Sequence, residues 1–181
     1  ADPRLDDVTH VLHVASNTSF RSVRGVRRAN LLGGMALAHR MRRAPRLERF
    51  VYVGTGYICG EITDPVVYEE QFPALEASHF TEYTRSKSEC EMLLALSAAD
   101  LPLVVARPSV VVGHSTLGCG PSGSIFWFYR LAQRLRRISC AVDSRGDVVP
   151  VDWVARALLL LLDKASLAHR CYHLSAGLGA S

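Results

Sequence analysis

Three short apolar runs, rich in β-branched residues and almost free of polar alternation, constrain this chain more than anything else in it: Val8 to Ser16 (VTHVLHVAS), Phe50 to Val53 (FVYV) and Leu103 to Ala106 (LVVA). Strands buried on both faces need such continuity. Longer segments of helical spacing lie between them. Val23 to Arg43 sets apolar residues against arginines and stops before Pro45, while Glu82 to Ala99 places Glu89 and Glu91 among Leu93, Leu94 and Leu96, with Pro102 beyond. The order strand, helix, strand, helix, strand predicts a parallel α/β sheet.

The texture changes after Gly113. His114 to Ser124 is glycine-rich and reads as a long surface loop. A second arginine-rich helix, Ile125 to Arg137, follows it. A short strand near Asp147 to Val151, a leucine-rich helix from Trp153 to Lys164 and a last strand, Cys171 to Ser175, complete the pattern. With 181 residues, 49% of them hydrophobic, the chain can bury a core without disulfides or metal.

The formal charge is +4. Lys87 and Lys164 are the only lysines. Arginines cluster at Arg21, Arg24, Arg27 and Arg28, at Arg40, Arg42, Arg43, Arg46 and Arg49, and at Arg130, Arg134, Arg136 and Arg137. Such runs at helical spacing read first as solvated faces. The sharper reading is an acidic partner, either a phosphate-bearing cofactor or an acidic carrier protein. No zinc-finger, RNP or helix-turn-helix pattern supports nucleic acid. Cys59, Cys90, Cys119, Cys140 and Cys171 are dispersed and odd in number, which predicts reduced thiols and a cytoplasmic setting. The seven histidines form no metal-ligand pattern, so no metal is expected. The longest apolar run, Ala157 to Leu162, is too short to span a bilayer, and no signal peptide opens the chain.

Chemistry is suggested by Tyr83 and Lys87, four apart at the start of a predicted helix and therefore on one face. A nearby ammonium favours a phenolate, which would make the tyrosine a usable general acid or base. With six tyrosines and two lysines, this spacing arises by chance with an expectation of about 0.07. Thr55, between Gly54 and Gly56, stands at the carboxyl end of a predicted strand, the edge at which open α/β sheets bind ligands. Its hydroxyl could stabilise charge on a carbonyl oxygen or simply cap a turn.

These residues, in this order, resemble the extended branch of the short-chain dehydrogenase/reductase superfamily. His13-Val14-Ala15-Ser16 resembles its cofactor-contacting strand. Asn30 with Gly33 and Gly34 resembles its Asn-x-x-Gly-Thr element, with Gly34 in place of threonine. Val53-Gly54-Thr55 to Gly60, Tyr83 to Lys87, and Arg107-Pro108 to Gly113 match the remaining motifs. The Tyr57 to Gly60 loop, the Glu69-Glu70 pair, Glu91 and the Ser109 to Gly113 segment look most like fatty acyl-CoA and thioester reductases of the male-sterility type.

The resemblance implies the carboxyl-terminal part of a doubly wound, Rossmann-like parallel sheet with part of a small substrate-binding subdomain. Residues 1–113 would be a partial NAD(P)-binding domain. Residues 114–181 would be the loop and helices of the substrate region, with returning Rossmann elements. It implies Thr55, Tyr83 and Lys87 as the catalytic group, and Val14, Ala15, Ser16, Asn30, Val53, Tyr83, Lys87, Pro108 and Val111 as cofactor contacts. The implied cofactor is NADP or NAD, with NADPH favoured by the reductase likeness. The implied activity is hydride transfer to an acyl thioester, free or carrier-bound, or to its derived carbonyl. A nucleotide-sugar epimerase or dehydratase is the alternative enzyme. A non-catalytic Rossmann-like binding domain is the alternative of another class, and a homodimer is one assembly open to it.

The sequence holds no G-x-x-G-x-x-G turn to seat a pyrophosphate on a helix N-terminus. The expectation is that the chain is the carboxyl-terminal portion of a longer protein, the alternative being a relative that cannot hold a dinucleotide alone. Asp152 reads as an N-cap, His114 as a solvated loop histidine, and Phe126 to Tyr129 as packing for a lid or second subdomain.

Overall fold

The computed structural model describes residues 2–19, 22–61, 66–72, 76–118, 125–137 and 146–177. Four strands, β1 (His10–His13), β2 (Arg49–Val53), β3 (Leu103–Pro108) and β6 (Cys171–Leu174), form one sheet in the order β1-β2-β3-β6, every pair parallel. The expected α/β fold is the one observed. A second parallel pair, β4 (Val110–Val112) with β5 (Val148–Pro150), continues just beyond β3.

Strand periodicity assigns the two cores. On β2, Phe50 and Tyr52 join one buried cluster with Leu31, Met41, Cys90 and Leu94, while Val51 joins the other with Val154, Leu158 and Leu161. The first cluster lies under a long helical rod and under α3 (Glu82–Ser97). The second lies under α5 (Val151–Asp163). The rod runs from α1 (Val23–Val26) through a π-helical stretch (Arg27–Gly33) into α2 (Gly34–Met41). The wider π stretch buries Asn30 and Leu31 side by side. A β-carbon on Gly34 would meet Cys90 Sγ at 2.8 Å, so the rod's close approach to α3 explains the glycine where the motif has threonine.

Several expectations shift at their ends. The first strand stops at His13, opposite Tyr52, and Val14 to Ser16 emerge exposed from the sheet's carboxyl edge. The first helix ends at Met41. The last begins at Val151, directly after β5, which places Asp152 inside its first turn. Strand β4 was not anticipated. Residues 119–124 of the expected loop, with Cys119, and also Cys140 and Arg21, lie outside the described residues. Helix α4 (Ile125–Leu135) exposes Trp127, Phe128 and Tyr129, while Phe126 is part-buried.

Candidate active site

Thr81 starts α3 by accepting the Thr84 N–H on its hydroxyl at 3.2 Å. Tyr83 and Lys87 therefore occupy the first two turns, one turn apart, at the carboxyl edge of the sheet. The Ser16 side chain lies close enough to the Tyr83 hydroxyl to influence its ionisation. Burial pushes the Tyr83 pKa up, and the Ser16 side chain pulls the other way. The opposing influence thus comes from Ser16, where the spacing predicted Lys87.

Lys87 is 2% exposed. Its Nζ lies 4.3 Å from the centroid of the Tyr52 ring, and it has no hydrogen bond or ion pair among the described residues. Burial brings its pKa down to about 8, with Cys90 and Glu91 pulling the other way. The Tyr52 hydroxyl donates to the Lys87 carbonyl at 3.3 Å.

Asn30 ties these parts together. Its Oδ1 accepts from Ser16 Oγ at 3.0 Å and from the Asn17 N–H at 2.7 Å, while its Nδ2 donates to the Asn17 carbonyl at 3.0 Å and to Ser86 Oγ at 3.1 Å. All four positions of the amide are then filled. Any role toward a cofactor runs through the Ser16-Asn17 segment it holds and through Ser86, which in turn donates to the Tyr83 carbonyl at 2.8 Å.

Thr55 is buried just past β2, where Gly54 and Gly56 extend the pairing to Ala106 and Pro108. Its oxygen accepts the Tyr57 N–H at 3.3 Å, which leaves its proton to give, and no direct hydrogen bond joins it to Tyr83. Val14, Ala15 and Ser16 are exposed and Val53 is half-buried, while Pro108 is buried at the end of β3 and Val111 is exposed on β4. The structure thus links Ser16, Asn30, Ser86 and the Tyr83 backbone by hydrogen bonds, sets Lys87 one turn beyond Tyr83 against the Tyr52 ring, and places Thr55, Val53 and Pro108 at the ends of the neighbouring strands.

A buried ion pair went unread in the sequence. Arg107 donates to Glu91 Oε1 through Nε at 3.0 Å and through a terminal nitrogen at 2.7 Å, and both side chains are essentially inaccessible. Arg107 also donates to the carbonyls of Glu69 at 3.3 Å and Gln71 at 3.1 Å, and it contacts His173 Nε2 at 3.2 Å. Burial pushes the Glu91 carboxyl up while Arg107 pulls it down. The available signals were an arginine continuing the apolar run of β3 and an acid one turn beyond Lys87. Asp152, expected as an N-cap, instead accepts the Ser115 N–H at 2.8 Å and hydroxyl at 2.9 Å, and His114 Nδ1 accepts the N–H groups of Thr116 and Leu117. Both fasten a turn.

Among the described residues no group of three or more His, Cys, Asp or Glu could hold a metal, and no helix is long and apolar enough to cross a membrane.

A family profile described as male sterility protein matches residues 3–158. The chain is 26% identical, over 94% of its length, to the aldehyde reductase lnaA of Aspergillus flavus, and 23% identical, over 87%, to a Drosophila melanogaster protein provisionally named as a fatty acyl-CoA reductase. It spans 18% and 35% of those two proteins. In fold it is similar to the terminal R domain from the myxalamid PKS-NRPS biosynthetic pathway, with a TM-score of 0.82 and 23% identity over 97% of this chain and 46% of that one. Solved structures of similar fold include WbmG from Bordetella bronchiseptica with NAD (TM-score 0.65, 20% identity, 91% of this chain and 49% of that one) and RMD from Pseudomonas aeruginosa with NADPH (TM-score 0.63, 22% identity, 91% and 59%).

Proposed function

The chain belongs to the male sterility protein family, within the extended short-chain dehydrogenases/reductases, and on that premise we propose that it carries the proton-transfer group of an NAD(P)-dependent reductase of acyl thioesters. One observation carries the reading: α3 sets a tyrosine in its first turn and, one turn on, a buried amine with no acid paired to it.

That amine is the test of fit. Lys87 keeps its N–H donors unused, as a group meant for ribose hydroxyls would. The open Val14 to Ser16 segment, with Pro108 and Val111 beyond it, borders the same edge. The residues present therefore fit the nicotinamide end of a dinucleotide. A bound nicotinamide supplies a hydride. For this chain's own groups, Tyr83 Oη gives its proton to the substrate oxygen as negative charge develops there. Thr55 Oγ donates a hydrogen bond to the same oxygen. Lys87, cationic below pH of about 8, holds the cofactor through its unused N–H donors. NADPH, and a thioester that is free or carrier-bound, are the substrates we favour.

The experiment is NADPH oxidation by the intact protein supplied with acyl thioesters. Tyr83→Phe should lower the rate by a factor on the order of 100 to 10,000. Undiminished turnover in that variant overturns the mechanism. Nucleotide-sugar turnover without net NADPH consumption replaces it with the epimerase reading.

A further inference from the structure

Among the buried groups that the proposed chemistry leaves unused, Tyr52 touches Lys87 twice. Its ring lies under Nζ at 4.3 Å and its hydroxyl donates to the Lys87 carbonyl at 3.3 Å. The ring is itself fixed: Tyr52 is fully buried on β2, with the His13 ring centroid 5.8 Å away. We propose that Tyr52 is a positioning residue whose π face holds the Lys87 ammonium charged and aimed at the cofactor edge without spending its hydrogen bonds. The inference rests on reading Lys87 as a cofactor-holding group, and it goes beyond that reading by naming what holds Lys87.

The physical case is one of competition. A carboxylate beside Lys87 would stabilise its charge but occupy its donors. Glu91, the nearest acid on its own helix, is committed through Oε1 to Arg107, and its Oε2 is packed where a β-carbon on Gly54 would come within 2.8 Å. An aromatic face attracts a cation through its quadrupole and accepts no conventional hydrogen bond from a donor that must point elsewhere. The ionisable groups facing Lys87 are Cys90 and Glu91 on α3, Tyr52 on β2 and His13 at the end of β1. Burial pushes the His13 pKa down and the Cys90 thiol up, which disfavours a second cation at His13 and an anion at Cys90.

Lysine labelled with carbon-13 at the ε position makes the test direct, because the chain has two lysines and Lys164 is exposed at the end of α5, an internal reference. Phenylalanine and its di- and trifluoro analogues at position 52 keep the ring's shape while draining its negative face. The Lys87 titration midpoint should fall stepwise along that series, by about one pH unit in total, while Lys164 stays still. Tyr52→Phe should hold the midpoint near that of the parent, and Tyr52→Leu should show the full fall. A flat fluorine series, or a rise in Tyr52→Leu, overturns the proposal. The readout needs no turnover, so failure of the thioester reaction leaves this result standing, and the converse holds. Where the reductase is active, the NADPH KM should rise in the same order with a smaller change in kcat.

Discussion

Lys87 and Arg107 are both buried cations against the same layer of α3, and they are treated in opposite ways. Arg107, 1% exposed, donates to a carboxylate and to two loop carbonyls. Lys87, 2% exposed, has a ring face and no acid. Glu91, between them, gives its hydrogen-bonded oxygen to Arg107. Full pairing makes a fastening: Arg107 joins β3 to α3 and to the 69–71 segment ahead of that helix. An unpaired cation is costly to bury, and it makes sense where a ligand is to complete it.

The largest effect should come from breaking the paired cation. Arg107→Met leaves Glu91 buried and unpaired and releases the Glu69 and Gln71 carbonyls, at a cost of about 3–5 kcal/mol in unfolding free energy. Chemical denaturation measures it. The loss should shrink as pH falls, because the Glu91 carboxyl, already raised by burial, then takes a proton and needs no partner. Arg107→Met combined with Glu91→Leu should recover most of it. A double variant as unstable as the single one would show that the loop carbonyls, not the ion pair, matter most.

Removing the unpaired cation should have the reverse sign for stability. Lys87→Met relieves a buried charge, so unfolding free energy should hold or rise by about 1 kcal/mol while dinucleotide binding is lost. The pH dependence follows from the same group. Its folded pKa, about 8, lies below the ordinary lysine value of 10.5, so the folded state is penalised where the lysine is charged, below pH of about 8. That penalty is relieved as pH rises between the two values. Cofactor affinity runs the other way, retained below about 8 and falling above it. Calorimetric titration with NADPH across that range, beside a pH series of melting curves, checks both signs. Binding that persists unchanged to high pH would remove Lys87 from the site.

Much of this contrast was hidden in the sequence for a physical reason. Period and composition revealed the strands, the helices and the Tyr83 and Lys87 spacing, because each is local. Glu91 and Arg107 were both visible, but they sit on different elements, and only the packing of α3 on β3 makes them a pair. Strand β1 was read too long because the apolar run continues past His13, where the chain leaves the sheet although β2 runs on to Val53. Asn30 was read as a cofactor contact from its motif. That its amide is saturated by Ser16, Asn17 and Ser86 depends on a π-helical stretch that no local pattern announced.

A third cation sets the lower limit of the comparison. Arg27 reaches from the π-helical stretch to α3 with two acids in hand, Glu82 at 2.9 Å and Glu89 at 2.7 Å, so by contacts it rivals Arg107. Its side chain, however, is 39% exposed, and water and salt already satisfy what the acids would. Glu89→Gln should cost less than about 1 kcal/mol, and added salt should erase even that. If it instead cost as much as Arg107→Met, burial would not be what separates these cations. Arg27 would then have to be counted with the groups that fix Tyr83 and Lys87 in place.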